Sequence, residues 1–334
     1  MKHNEKKERP VLRIWMGLAN TGKSARVLER IERQGERTGA LLLSPEHASH
    51  QAEMDLCRVC GPAAGRYAEV LSLRLLARRV LAVTGGLSDG ALDAGGKLLL
   101  MQLALQEAAP QLTVYARPSR KAPFLRELVT LCDELTACRV RPEDLGEAVP
   151  VLEGLSGEKV RDLALIYAAY LARLHQPEAD HRDLMEKLLE RLEESGYAAG
   201  KDVYLDGFTY FTAQEMQLIS ILLRTARSVT VTLLGDGSGQ EIFQQAVRTR
   251  DRLERLAAAC GAVCETEILP PREPENALAY LPDRFFGPVR PWEGDCGGVT
   301  LCQAESMFTE TEYVAAKILE LVRGGTCRFR DIAV

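Results

Sequence analysis

Eight residues near the start of the chain carry its densest chemistry. Gly17, Leu18, Ala19, Asn20, Thr21, Gly22, Lys23 and Ser24 fit the pattern G-x-x-x-x-G-K-[ST] in full. Glycines at this spacing let the backbone curl until its N–H groups point at one anion. Lys23 adds a positive charge for outer phosphates, and the Ser24 hydroxyl is a ligand for Mg²⁺. The chemistry these residues imply is capture of a nucleoside triphosphate, ATP as its Mg²⁺ complex.

A second element is needed. Phosphate loops of this kind work with a carboxylate at the end of a neighbouring strand, which shares the Mg²⁺ with the loop hydroxyl. Asp206, closing the apolar run at 203–205, is the candidate. Asp236 ends the next apolar run and is a poorer candidate for Mg²⁺, better suited to sensing the phosphates. The residue after Asp206 is Gly207, where a motor enzyme needs a glutamate to polarise the attacking water. The site therefore reads as one that binds ATP and hydrolyses it poorly.

These residues need a scaffold. Residues 11–16 form an apolar strand before the loop, and 24–34 a helix with Val27, Leu28 and Ile31 on one face. A strand at 40–43 ends at Pro45, and a helix follows at 51–59. From 71 to 197 almost only helical periodicity appears, clearest in Val160, Leu163, Ile166, Tyr167, Tyr170, Leu171 and Leu174. Strands return at 203–205 and 229–234, with a helix at 212–223 between them. Unbroken apolar strands alternating with helices predict an α/β fold with a parallel sheet. The helical stretch predicts a large all-helical subdomain inserted into it.

The rest of the chain reads differently. Pro270, Pro271, Pro274, Pro282, Pro288 and Pro291 make 268–298 an extended linker with at most a short helix at 276–281. Beyond it, 299–303 predicts a strand, 310–323 a helix and 329–334 another strand. The sequence stops inside that last apolar run, so it reads as the N-terminal fragment of something longer.

Bulk properties set bounds. The chain has 334 residues, 46% hydrophobic content and a net charge of −5, so no global basic field announces nucleic acid. Residues 1–8 are a charged tail rather than a secretion signal. No run approaches the roughly 18 apolar residues a membrane span requires. Nine cysteines include one isolated C-x-x-C at Cys57 and Cys60 and no zinc-type second pair. They read as reduced, mostly buried thiols of a cytoplasmic protein. Basic stretches at Arg117, Arg120 and Lys121 and at Arg248, Arg250, Arg252 and Arg255 are candidates for DNA contact, with solvated helix faces as the plainer explanation. Phe208, Tyr210 and Phe211 are equally suited to stacking on bases or to packing beside Asp206.

Taken together, 17–24, 41–53 (LLLSPEHASHQAE), 205–215 (LDGFTYFTAQE) and 328–334 (RFRDIAV) resemble the AddB subunits of AddAB helicase–nucleases, in order and spacing over essentially the whole chain. The resemblance implies a P-loop NTPase fold, RecA-like and similar to superfamily-1 helicases. Residues 9–70 and 200–267 would form lobe 1A, 71–199 the inserted helical 1B, 268–298 the linker and 299–334 the start of a truncated lobe 2A. It implies a helicase-like module that binds ATP and single- and double-stranded DNA ends, pairs with an AddA-type subunit, and serves end resection in recombinational repair. It implies a regulatory or recognition role rather than a motor. It also implies a nuclease domain held by a 4Fe-4S cluster, but only in a C-terminal part this sequence does not contain. Two other classes share the loop: a small-molecule P-loop kinase, and a scaffold that uses ATP as a clamp without a DNA role.

Overall fold

The computed structural model describes residues 9–36, 39–86, 92–116, 121–176, 179–180, 183–237, 240–270, 276–284 and 291–334. Residues 1–8, Arg117 and Arg120 of the first basic stretch, and parts of the proline-rich stretch lie outside the described residues. The chain divides into two units, Met1–Arg272 and Glu273–Val334.

In the first unit the chain runs β1 (Val11–Gly17), α1 (Lys23–Gln34), β2 (Ala40–Leu43), α2 (Ser49–Cys60), β3 (Ala68–Leu71) and α3 (Leu73–Thr84). Four helices follow: α4 (Ala94–Ala108), α5 (Ala122–Ala137), α6 (Pro142–Ala148) and α7 (Leu155–Leu174). A two-residue hairpin, β4 (His175–Gln176) with β5 (Ala179–Asp180), leads to α8 (Leu184–Ser195). The sheet then resumes with β6 (Asp202–Leu205), α9 (Ala213–Thr225), β7 (Ser228–Leu234), α10 (Gln244–Ala259) and β8 (Val263–Ile268).

Six strands form one sheet in the order β3-β2-β6-β7-β1-β8, and every pairing is parallel. A parallel sheet is stable only with both faces covered, because each strand then buries side chains on both sides. β2, wholly apolar, and β6, apolar after Asp202, are buried at every position and meet that condition. On one face Leu12, Ile14, Leu43, Leu205, Val231 and Leu233 pack against α3, α8, α9 and α10. On the other, Trp15, Leu42, Val70 and Tyr204 pack against Val27, Leu28 and Ile31 of α1 and Leu56 of α2. The chain thus leaves β1 towards one face, through α1, and leaves the adjacent β7 towards the other, through α10. Such a reversal opens a crevice at the C-terminal ends of the two strands, the usual ligand position in open α/β sheets.

Between α3 and α8 the helices build their own core. Met101, Ala104 and Leu105 of α4, Leu125 and Leu128 of α5, and Ile166, Tyr167 and Tyr170 of α7 are all buried there. Asp162 of α7 is fully buried and accepts N–H bonds from Thr113, Val114 and Tyr115 at 2.7–3.0 Å. It thereby satisfies backbone donors where the chain leaves α4. The bracketing helices α3 and α8 face the sheet instead, through Leu76, Ala77, Val80, Leu188 and Leu192.

Two strands of the six-stranded sheet, and the short β4–β5 hairpin, were not foreseen from the sequence. The short β3 is interrupted by Glu69, whose carboxylate accepts from Tyr197 Oη at 2.5 Å. The outer strand β8 (VCETEI) is mostly exposed, and its Glu265 and Glu267 pair with Arg13 and Arg26. Edge position explains the weak apolar signal.

The second unit contains α11 (Ala277–Arg284) and α12 (Met307–Arg323), with the Tyr280 and Trp292 rings 5.2 Å apart. Ser306 caps α12 by accepting from Thr309 N–H at 3.3 Å. The strands expected at 299–303 and 329–334 do not form. Residues 299–303 are irregular and exposed. At Phe329–Asp331 the chain makes a 3-10 turn, because the Asp331 carboxylate accepts the Arg328 N–H at 2.9 Å and curls the segment. An extended segment also needs a partner strand for its backbone groups, and this unit supplies none among its described residues.

Candidate nucleotide site

The loop at 17–23 sits at the crevice between β1 and β7. Its path depends on close backbone approach at Gly17, where a Cβ atom would lie 2.4 Å from Thr21 Oγ1. Thr21 is buried and donates from that oxygen to Leu18 O at 3.0 Å. Asn20 and Gly22 both adopt positive φ, 61° and 86°. This left-handed pair turns the chain into α1, with Gly22 at the N-cap. No side chain caps that end and no acidic residue occupies its first turn, so the helix offers its free N–H groups and positive dipole end to an anion.

Lys23 Nζ donates to Gly17 O at 2.7 Å and Leu18 O at 2.6 Å, with Thr21 Oγ1 at 3.4 Å. Burial pulls its ammonium below the ordinary lysine range, and the nearby Asp206 carboxylate works against that fall. Lys23 and Asp206, far apart in the sequence, are therefore brought into electrostatic reach. Asp206 follows β6 and accepts from Thr232 Oγ1 of β7 at 2.5 Å. Gly235 N–H donates to Gly17 O at 3.1 Å, tying the end of β7 to that of β1. Asp236 comes next in the chain. Ala19, Asn20 and Ser24 are exposed, while Leu18, Gly22 and Lys23 are half-buried.

Gly207 has φ +84°, and a Cβ there would touch Pro45 Cδ at 3.5 Å. Left-handed backbone favours glycine. The position is thus shaped for glycine by conformation, and a glutamate would be strained in it.

Among the described residues no group of three His, Cys, Asp or Glu side chains is placed to hold a metal ion. A hydroxyl and one carboxylate, Ser24 and Asp206, are a donor set that suits Mg²⁺, which keeps several waters and takes its remaining oxygens from phosphate.

Other sequence candidates divide. The α10 arginines spend donors locally: Arg248 on Gln244, Arg250 on Asp251, and Arg255 on Asp251 O. Arg252 donates to Phe211 O at 3.2 Å. Lys121 is exposed. Phe211 is a core residue, 1% exposed, with Phe208 packed 5.3 Å away, whereas Tyr210 is 55% exposed. Only Tyr210 of the three therefore presents much ring surface. The cysteines correct an expectation. All nine are free, but only Cys132 is buried; most sit near helix ends or in irregular segments. Burial, with Asp133 adding, pushes the Cys132 thiol up to about 12, so it is no nucleophile. No described helix is long and apolar enough to cross a membrane.

The hydroxyl partner of Asp206 was not foreseen from the sequence. Thr232 was detectable as a polar residue on the alternating β7 segment TVTLL. Nor was a buried group at the opposite end of the same strands, where Asp202 accepts from Arg227 and from Ser228 Oγ.

A six-stranded parallel α/β sheet carrying a glycine–lysine loop at its switch point defines the general class. The family is more specific. The family model described as "ADDB, N-terminal" matches residues 14–281. Among curated proteins, the chain is similar to the B-type subunits of ATP-dependent helicase/deoxyribonucleases. It is 33% identical over 347 residues to the one from Moorella thermoacetica (strain ATCC 39073 / JCM 9320), covering 97% of this chain and 30% of that protein. The counterpart from Caldanaerobacter subterraneus subsp. tengcongensis is 31% identical over 339 residues, covering 97% and 29%. That from Geobacillus thermodenitrificans is 30% identical over 346 residues, covering 97% and 30%. The chain belongs to the AddB family. It spans about three tenths of the length of the curated relatives it matches.

Proposed function

We propose that this chain is the ATP-binding, helicase-like part of a helicase–nuclease subunit acting on DNA ends in recombinational repair. In this reading residues 17–24 are a P-loop on a RecA-like lobe. Lys23 meets the outer phosphates, and Ser24 and Asp206 hold Mg²⁺. Residues 9–70 and 200–267 act as lobe 1A, 71–199 as the inserted 1B, 268–298 as linker and 299–334 as the start of lobe 2A. The partner is an AddA-type subunit and the compartment the cytoplasm.

The observation that carries the reading is that the glycine-rich loop after β1 and Asp206 after β6 lie at the same C-terminal edge of the sheet, on either side of β7, with Lys23 and Asp206 in electrostatic reach. A bound phosphate would replace the two loop carbonyls that Lys23 now contacts. Binding without efficient turnover is favoured by Gly207, because water activation requires a base within hydrogen-bond reach. That same observation keeps the ATP-clamped scaffold as a second reading; the family match gives the small-molecule kinase no support.

Titration of the chain with Mg²⁺–ATP tests the proposal. Lys23→Ala should weaken binding by more than roughly tenfold, about 1.4 kcal/mol. Lys159→Ala, an exposed change on α7, should leave it unchanged. Equal affinities for the two variants would overturn the ATP site. Phosphate release should stay near background with and without single-stranded DNA, and DNA-stimulated turnover abolished by Lys23→Ala would overturn the non-motor role.

A further inference from the structure

The N-terminal edge of the sheet, opposite the nucleotide site, carries an arginine-lined groove. One cavity of about 660 Å³ is lined by Arg9, Arg13, Arg30, Arg224 and Arg227, with Glu193 and Asp202 as its acids. A second, of about 380 Å³, adjoins it through Arg30 and Gln34 and adds Arg26 and Arg33 of α1 with one acid, Glu29. Together they hold seven guanidinium groups and three carboxylates. Glu265 and Glu267 of β8 also reach Arg13 and Arg26. The excess stays positive, in a chain whose net charge is −5. The lining is therefore locally cationic where the chain as a whole is acidic.

Several of these cations have structural partners. Arg224 pairs with Glu193 at 3.2 Å, and Arg227 closes on Asp202. Arg9 forms no ion pair among the described residues, and Arg30 forms none as close as a salt bridge, although its charge reaches Asp202 and its guanidinium reaches the Tyr204 hydroxyl. Arg30 Nε is buried without a hydrogen-bond partner, a costly state for a charged donor. No lysine lines the groove. Guanidinium forks match phosphate oxygens in pairs, which an ammonium does not. Arg26, Arg30 and Arg33 recur about once per helical turn, roughly 5 Å apart along α1. An extended polyanion with regularly spaced charges fits that row better than a single small anion.

We propose that this groove binds the phosphodiester backbone of DNA without regard to base sequence. The proposal rests on the nucleic-acid role proposed above and adds a surface that starts at the N-terminal edge of the sheet and runs along the outer side of α1, distinct from the crevice that Lys23 and Asp206 face.

Fluorescence anisotropy of the 334-residue chain with a labelled single strand of about 20 nucleotides tests it, at several salt concentrations. Arg9→Glu/Arg33→Glu changes two exposed residues and should weaken binding roughly tenfold. It should also flatten the log–log salt dependence by about 1.4, roughly 0.7 per lost phosphate contact. Arg30→Gln should weaken binding in the same direction. Arg248→Glu/Arg255→Glu makes the same charge change on α10, on the other face of the sheet, and should have little effect. Equal weakening by the two double variants would reduce the effect to net charge and overturn the groove. Weakening by the α10 variant alone would move DNA to that helix. If polyglutamate binds the groove while DNA does not, the surface serves an acidic protein segment and the proposal fails. Absence of any DNA binding by the wild type would sink the nucleic-acid reading itself, whereas DNA binding indifferent to the α1-side variants sinks only the groove.

Discussion

The two ends of β6 and β7 repeat one arrangement with opposite outcomes. At the start of the strands Asp202 accepts from Ser228 Oγ at 2.5 Å; at their end Asp206 accepts from Thr232 Oγ1 at the same distance. Asp202 is 3% exposed and closed off by Arg227. Burial works to raise its pKa, but hydrogen bonds from Arg227 and Ser228, with the charges of Arg227 and Arg30, outweigh it and hold the carboxyl below its ordinary range. Asp206 is half-buried, faces the Lys23 ammonium across the crevice and has a glycine next to it. An aspartate–hydroxyl pair is thus consumed by an ion pair at one edge and left facing an open crevice at the other. The chain direction of a parallel sheet decides which is which, since loops at the C-terminal edge diverge and leave room.

Three substitutions put this contrast at risk. The largest effect is expected for Asp206→Asn. Affinity for ATP in Mg²⁺ should fall about a hundredfold, near 2.7 kcal/mol, while affinity without Mg²⁺ changes little; calorimetry in both conditions reads the difference. An equal loss in both would make Asp206 a structural group like Asp202.

Next comes Arg227→Ala, which leaves the Asp202 carboxylate without its cation. A cost of about 2 kcal/mol is expected, below the range for fully buried pairs because Arg227 is 41% exposed. The sign with pH follows from the lowered Asp202 pKa. Its contribution is present above the unfolded carboxylate pKa, near 4, and is lost as pH falls through the folded value. Thermal melts from about pH 7 to about pH 3 should therefore converge for wild type and variant at the acid end. A gap that persists at the acid end would refute the assignment.

The smallest effect is expected for Gly207→Glu. Left-handed backbone at a non-glycine residue costs roughly 1–2 kcal/mol, so the melting temperature should drop by a few degrees without DNA-stimulated ATP turnover appearing. Robust turnover in this variant would mean that conformation does not bar a base here.

Much of this site could be read in advance because its parts are local. The spacing from Gly17 to Ser24, the apolar run before it and an aspartate ending a strand are all short-range signals. The Asp202–Arg227 pair joins residues 25 positions apart and is invisible until β6 and β7 lie side by side. Polar alternation hid β8, whose acids face Arg13 and Arg26 rather than a core. At 299–303 and 329–334 the error ran in the other direction. Apolar residues such as Leu301 and Phe329 suggested strands, but strand formation depends on a neighbour, and Asp331 offered Arg328 N–H a closer partner.

The buried carboxylate of Asp162 bears on how the helical core moves. It binds three consecutive backbone N–H groups near the middle of α7. Sliding α7 by a single residue against the α4–α5 connection would strand all of these donors and an anion in an apolar interior. A shift between these helices therefore cannot be made gradually: it costs three hydrogen bonds at once.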